Sequence, residues 1–157
     1  MNLSAASEIE TPLPPSKVLL VDDEAQIVEL LEAYLAEIPN VSTVGASSGQ
    51  EALAKVAADP PDLILLDIMM PRMSGFEVCK KLKADPATKD IPIIMVTALY
   101  EESDVERGLE VGTNDFVTKP LNRVDLVTRV KTLLRLRHAQ KQSGGDMDYL
   151  GELGASS

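Results

Sequence analysis

Three short, unbroken runs of mostly branched apolar residues govern what this chain can fold into: 17–21 (KVLLV), 63–66 (LILL) and 91–96 (IPIIMV). A strand that is apolar at every position must be covered on both faces, as in a parallel sheet between layers of helices. Two weaker, more polar runs, 41–46 (VSTVGA) and 115–118 (DFVT), suit the edges of such a sheet. Between the runs lie amphipathic stretches. Ile27, Leu30, Leu31, Tyr34, Leu35 and Ile38 make one apolar stripe at helical spacing, stopped by Pro39. Residues 49–58, 75–84 and 104–111 predict shorter helices, with Ser48 and Ser103 as N-caps and Glu51 completing a capping box with Ser48. A last helix runs from about Asn122 to Lys141, about 30 Å at 1.5 Å per residue. The pattern is (βα)5. Right-handed crossovers with strands 2 and 5 at the edges give a flavodoxin-like, doubly wound α/β sheet of order 2-1-3-4-5. Such a sheet binds its ligand at the carboxyl ends of the strands, near the switch point between strands 1 and 3.

The 157 residues suit one domain, expected over 17–142, between a Ser/Glu/Pro-rich flexible arm at 1–16 and a flexible acidic tail at 143–157. Acids outnumber bases 25 to 15, a net charge of −10, which argues against nucleic acid or an anionic membrane as a partner for the chain by itself. A single cysteine excludes an internal disulfide framework, and no secretory signal or membrane-spanning apolar run is present. A cytoplasmic location is the expectation. The charge is uneven: residues 17–122 hold 19 acids and 9 bases, whereas 123–141 hold six bases against Asp125. The stretch 133–142 (LLRLRHAQKQ) reads equally well as a solvated helix end or as a linker or dimer contact.

The carboxyl ends of the strands carry the chemistry. Strand 1 ends in Asp22-Asp23-Glu24, strand 3 in Asp67, strand 4 in Thr97-Ala98 and strand 5 in Lys119-Pro120. Each close pair of carboxylates costs about 4 kcal/mol at 4 Å and an effective dielectric near 20. Lys119 offsets part of that, and a hard divalent cation such as Mg²⁺ offsets more. A carboxylate so placed can attack phosphorus to form an aspartyl phosphate. Any one of these residues alone has a plainer reading. Asp67 by itself would be a turn residue, Phe116 a core residue and Glu24 a solvated first-turn acid. Cys79, beside Phe76 and Leu82, reads as a packed thiol. His138 reads as an exposed histidine on a polar helix end, and Met69, Met70 and Met73 as gap-fillers. Gly45, Gly49, Gly108 and Gly112 do not form a nucleotide-binding loop. It is the convergence on one rim that favours function.

Together, VDDE at 21–24, LLDIMMP at 65–71 followed by SGFE, TA at 97–98 and DFVTKP at 115–120 resemble the receiver domain of two-component response regulators. The likeness spans about residues 17 to 137. It implies Asp67 as phosphoacceptor, and Mg²⁺ held by Asp22, Asp23 (the likelier direct ligand), Asp67 and the backbone carbonyl of Met69. It further implies Lys119 as partner of the phosphoryl oxygens, Thr97 as switch hydroxyl, Phe116 as the aromatic that turns inward with it, and a cis Lys119–Pro120 peptide. The expected donor is a histidine kinase or histidine phosphotransfer protein. The responsive surface is the fourth helix, fifth strand and fifth helix, which is also where a homodimer would form. On this view the chain is a switch and not an enzyme, beyond taking part in its own phosphorylation and dephosphorylation. Met69 and Leu99, two residues after Asp67 and Thr97, are apolar and cannot orient a water, so a long-lived phosphoryl state is expected. Three alternatives stand beside this. One is the receiver of a larger regulator, such as a cyclic-dinucleotide synthase or hybrid kinase. Another is an Mg²⁺-dependent aspartyl phosphohydrolase, weakened by Met69 where such enzymes prefer a second acid. The third is a receiver that acts only in docking.

Overall fold

The computed structural model describes residues 12–98 and 101–143. In chain order the elements are β1 (Ser16–Val21), α1 (Ala25–Leu35), β2 (Val41–Ala46), α2 (Gly49–Ala58) and β3 (Leu63–Asp67), then α3 (Gly75–Ala84), β4 (Ile93–Thr97), α4 (Glu102–Val111), β5 (Asp115–Thr118) and α5 (Arg123–Ser143). All strand pairs are parallel and the order is β2-β1-β3-β4-β5, as expected. Consecutive side chains of the three central strands enter opposite cores. Val18, Leu20, Leu63, Leu65, Ile94 and Val96 face Leu31, Leu35, Leu126, Val130 and Leu134 of α1 and α5. Leu19, Val21, Ile64, Leu66, Ile93 and Met95 face Ala52, Val56, Phe76, Val78 and Leu82 of α2 and α3. Burial on both sides explains why these runs have no polar alternation. The edge strands β2 and β5 are half-buried, which accounts for their polar residues.

Several boundaries differ from expectation. Residues 12–16, expected in the flexible arm, belong to the folded body: Leu13 is buried in the α1/α5 core and Ser16 opens β1. The rest of that arm, Leu99 and the acidic tail from 144 lie outside the described residues. Helix α1 ends at Leu35, and Ile38 is buried in the turn after it; Leu30, expected on the buried stripe, is 37% exposed. Ser48 caps α2, its hydroxyl accepting from the Glu51 N–H. The Glu51 carboxylate reaches back to the N–H of Ser47, one residue beyond the N-cap that the usual box engages. Ser103 is not an N-cap. Helix α4 starts two residues earlier than expected, with Glu101 as its N-cap, and the Asp104 carboxylate accepts from the Glu101 N–H to close that end.

The stretch 133–142 is neither frayed nor free. Leu133 and Leu134 are buried, Lys141 pairs with Asp62 at 2.8 Å, and half-buried His138 meets the Ser16 hydroxyl at 2.8 Å. That hydroxyl donates its one proton to the Pro14 carbonyl at 2.8 Å, so His138 must donate from Nε2. No helix among the described residues is long and apolar enough to cross a membrane.

Candidate functional site

The β1 and β3 chains are in register from Val18↔Leu63 to Val21↔Leu66, so Asp22 and Asp67 emerge side by side at the carboxyl rim. Asp23 follows and turns to solvent, whereas Asp22 is 1% and Asp67 4% exposed. Carboxylate oxygens of Asp22, Asp23 and Asp67 lie within 4.8 Å of one another. From the far side comes Lys119, whose backbone N–H donates to the Thr97 carbonyl at 2.9 Å, continuing the β4–β5 ladder past its last pair. Its ammonium is 2.9 Å from Asp22 Oδ2 and 3.7 Å from Asp67 Oδ1. The Lys119–Pro120 peptide is cis. The rim opens on a cleft of about 320 Å³ lined by Asp22, Asp23, Glu29, Ser47 and Glu51.

The electrostatics are unbalanced. Burial, then the neighbouring charge of Asp22, push the Asp67 carboxyl up to about 6, against the pull of Lys119 and the Met69 N–H at 3.4 Å. Lys119 is held above its usual range: burial acts to lower it, but the hydrogen bond to Asp22 and the charge of Asp67 prevail. Both oxygens of Asp22 are engaged, Oδ1 by the Glu24 N–H at 2.8 Å and Oδ2 by Lys119. Three oxygen donors with a net excess of negative charge form a hard donor set, and that chemistry fits a divalent cation of the Mg²⁺ type.

The expected residues therefore fall into two groups. Asp22, Asp23 and Asp67 are brought together at the rim, with Lys119 paired to Asp22 and Asp67. Thr97 is fully buried at the end of β4. Phe116, paired with Met95 in the ladder, stands half-buried under α4 against the second core. Met69 lies beside the cluster with its side chain 61% exposed, while Met70 is 8% exposed and Met73 partly buried. Gly75 has a role that motif matching alone does not assign. A Cβ there would lie 2.3 Å from the Asp67 carbonyl oxygen, so the loop that frames Asp67 can close only on a glycine. Its N–H donates to the Ile68 carbonyl at 2.9 Å, and Ser74 caps α3 by accepting from the Glu77 N–H.

With this geometry in place, comparison with known proteins is informative. The family model described as "Response regulator receiver domain" matches residues 18–131. Response regulator PleD of Caulobacter vibrioides is 51% identical over 123 residues, covering 78% of this chain and 27% of that protein. The phosphate regulon transcriptional regulatory protein PhoB of Pseudomonas aeruginosa is 47% identical over 118 residues, 75% of this chain and 51% of its own length. The crystal structure of Vibrio cholerae chemotaxis protein CheY4 superposes with a TM-score of 0.71 at 31% identity, covering 75% of this chain and 98% of that one. The chain thus spans between about a quarter and a half of the length of these curated relatives. It belongs to the response regulator receiver domain family.

Proposed function

We propose that this receiver domain is a phosphorylation-activated switch in which Asp67 takes a phosphoryl group from the phosphohistidine of a histidine kinase or histidine phosphotransfer protein. One observation carries this reading: three carboxylates lie within 4.8 Å of one another at the carboxyl rim of a doubly wound sheet, and two of them, Asp22 and Asp67, share a single ammonium. An Asp67 carboxylate oxygen attacks phosphorus, the P–N bond breaks, and the departing imidazole regains its proton from solvent. Lys119, poised between Asp22 and Asp67, pairs with the phosphoryl oxygens. Asp23, Asp67 and the Met69 carbonyl would hold Mg²⁺, with Asp22 beside them. Bound there, the ion supplies charge neutralisation as the new bond forms. Asp23 is favoured as a direct ligand because Asp22 already spends both oxygens on Glu24 and Lys119. Thr97 and Phe116 then transmit the new charge to α4, β5 and α5.

The test is labelling with acetyl phosphate or a kinase in the presence of Mg²⁺. Asp67→Asn abolishes it, and unchanged labelling of that variant would sink the assignment. The exposed, apolar Met69 side chain offers an attacking water no hydrogen bond, which favours a persistent phosphoryl group. Met69→Asn is expected to shorten its lifetime several-fold in a radiolabel chase. A second reading, that the domain is the receiver portion of a longer regulator, is favoured by its covering only 27% of PleD. A full-length transcript reading frame tests that directly.

A further inference from the structure

Helix α4 carries a glycine in its interior, where glycine is the poorest helix former after proline. The structure supplies a reason. A Cβ on Gly108 would fall 2.2 Å from Cζ and 2.8 Å from Cε2 of Phe116, far inside contact distance. The Phe116 ring is lodged against the bare Cα of this residue.

Neither backbone can retreat. The Gly108 carbonyl accepts from the N–H groups of Gly112 at 3.1 Å and Thr113 at 3.0 Å. The Thr113 hydroxyl is tied in turn to the Ile93 carbonyl of β4 at 3.1 Å. One residue earlier, the Arg107 guanidinium lies 4.6 Å above the Phe76 ring, linking α4 to α3. On the other side, Phe116 is held in the β4–β5 ladder opposite Met95. A Cβ at 108 would therefore have to be met by a shift of the Phe116 ring.

We infer that Gly108 is a positioning residue for the aromatic switch: its missing side chain is the space that lets Phe116 occupy the inward site under α4. This rests on the reading that ring position is coupled to phosphorylation at Asp67. A side chain at 108 evicts the ring, and by linkage every ligand that favours the inward ring binds more weakly.

The experiment uses the full chain with ring-¹³C phenylalanine, which reports on only two residues, Phe76 and Phe116. In metal-free Gly108→Ala, the Phe116 ring signals move to solvent-exposed shifts while those of Phe76 stay. Beryllofluoride with Mg²⁺ then binds about tenfold more weakly than to the parent. Phe116→Leu removes Cζ and Cε2, so in that background Gly108→Ala leaves beryllofluoride affinity unchanged, whereas a merely structural defect would weaken both backgrounds alike. Unmoved Phe116 signals in a folded Gly108→Ala protein overturn the inference. If Gly108→Ala does not fold, Phe116→Ala must restore folding to it, and failure to do so also overturns the inference. Absence of beryllofluoride binding in the parent would defeat the phosphoacceptor reading instead, and the ring signals of the free protein would still decide the role of Gly108.

Discussion

The two rims of the sheet hold similar numbers of charged side chains and use them in opposite ways. At the carboxyl rim, Asp22, Asp23 and Asp67 crowd together with one ammonium paired to Asp22 and Asp67, and the Asp67 carboxyl is driven up to about 6. At the amino rim, nearly every charge has partners. Lys83 sends its ammonium to the Lys89 carbonyl at 3.0 Å, the Ile91 carbonyl at 2.8 Å and Asn114 Oδ1 at 3.1 Å. Asp62 accepts from Lys141 and, at 2.8 Å, from the Lys17 N–H; burial acts to raise its carboxyl, but these bonds hold it below its usual value. Lys17 pairs with Asp59 at 2.5 Å. One buried atom there, Arg137 Nε, lacks a partner. Charge is crowded and unbalanced at one rim, and at the other it is matched within the fold.

The largest expected effect breaks the symmetry at the carboxyl rim. Asp67→Asn should stabilise the protein, because a shift from 3.8 to about 6 corresponds to about 3 kcal/mol of unfavourable burial of the ionised carboxylate. Urea unfolding at pH 7.5 in metal-free buffer reads this as a higher midpoint; a lower midpoint would mean the cluster is not strained. The pH dependence has a definite sign. Between 3.8 and 6 the folded chain holds a proton on Asp67 that the unfolded chain has lost. This group therefore adds stability at low pH and loses it as pH rises through about 6. The parent should show that slope across pH 4–6, and the Asn variant should lack this component. Phosphoryl acceptance should fall over the same window as pH drops, since only the ionised carboxylate attacks.

The opposite outcome is expected at the amino rim. Lys83→Met leaves the Lys89 and Ile91 carbonyls without their donor, at a cost of about 2 kcal/mol. Acetyl-phosphate labelling of Asp67 should be unchanged under conditions where the variant is folded. Burial pushes the Lys83 ammonium down to about 8. Here the unfolded chain keeps its proton between 8 and 10.5 while the folded chain releases it. Stability from this group therefore rises with pH over that range, opposite in slope to Asp67.

The same contrast explains what could be read from the chain before its structure was known. The carboxyl rim is legible because Asp22, Asp67 and Thr97 each stand immediately after an apolar run. Val21 therefore leads to Asp22 and Leu66 to Asp67, and strand register does the rest. The amino rim is not. The partners of Lys83 are backbone carbonyls, which have no residue signature, and Ser16 and His138 are 122 positions apart. Pro12–Ser16 has the composition of a disordered arm, but one buried leucine and an Asn40 side-chain bond to the Leu13 carbonyl at 2.9 Å are enough to dock it. Ser103 is not the cap for a local reason: Glu101 and Asp104 close the helix two residues earlier. Gly108 gives no warning in sequence, because its role is a clearance to a ring eight residues on.

The smallest expected effect sharpens the comparison most finely. Lys141 is nearly half exposed, so its pair with Asp62 should be worth only about 0.5 kcal/mol, and less in high salt. Its position matters more than its energy. It fastens the last turn of α5 to the chain just ahead of β3, next to the His138–Ser16 bond that fastens the turn before it. Lys141→Ala should therefore lower the urea midpoint barely, and not measurably in 1 M NaCl, yet speed amide exchange at 139–143 severalfold while leaving 126–134 protected. Uniform exchange along the helix would show that the amino rim does not pin its end. Exchange confined to the last turn would show that matched charges there act locally, one contact at a time, whereas at the other rim burial and the charges of Asp22 and Asp23 together push the Asp67 carboxyl up.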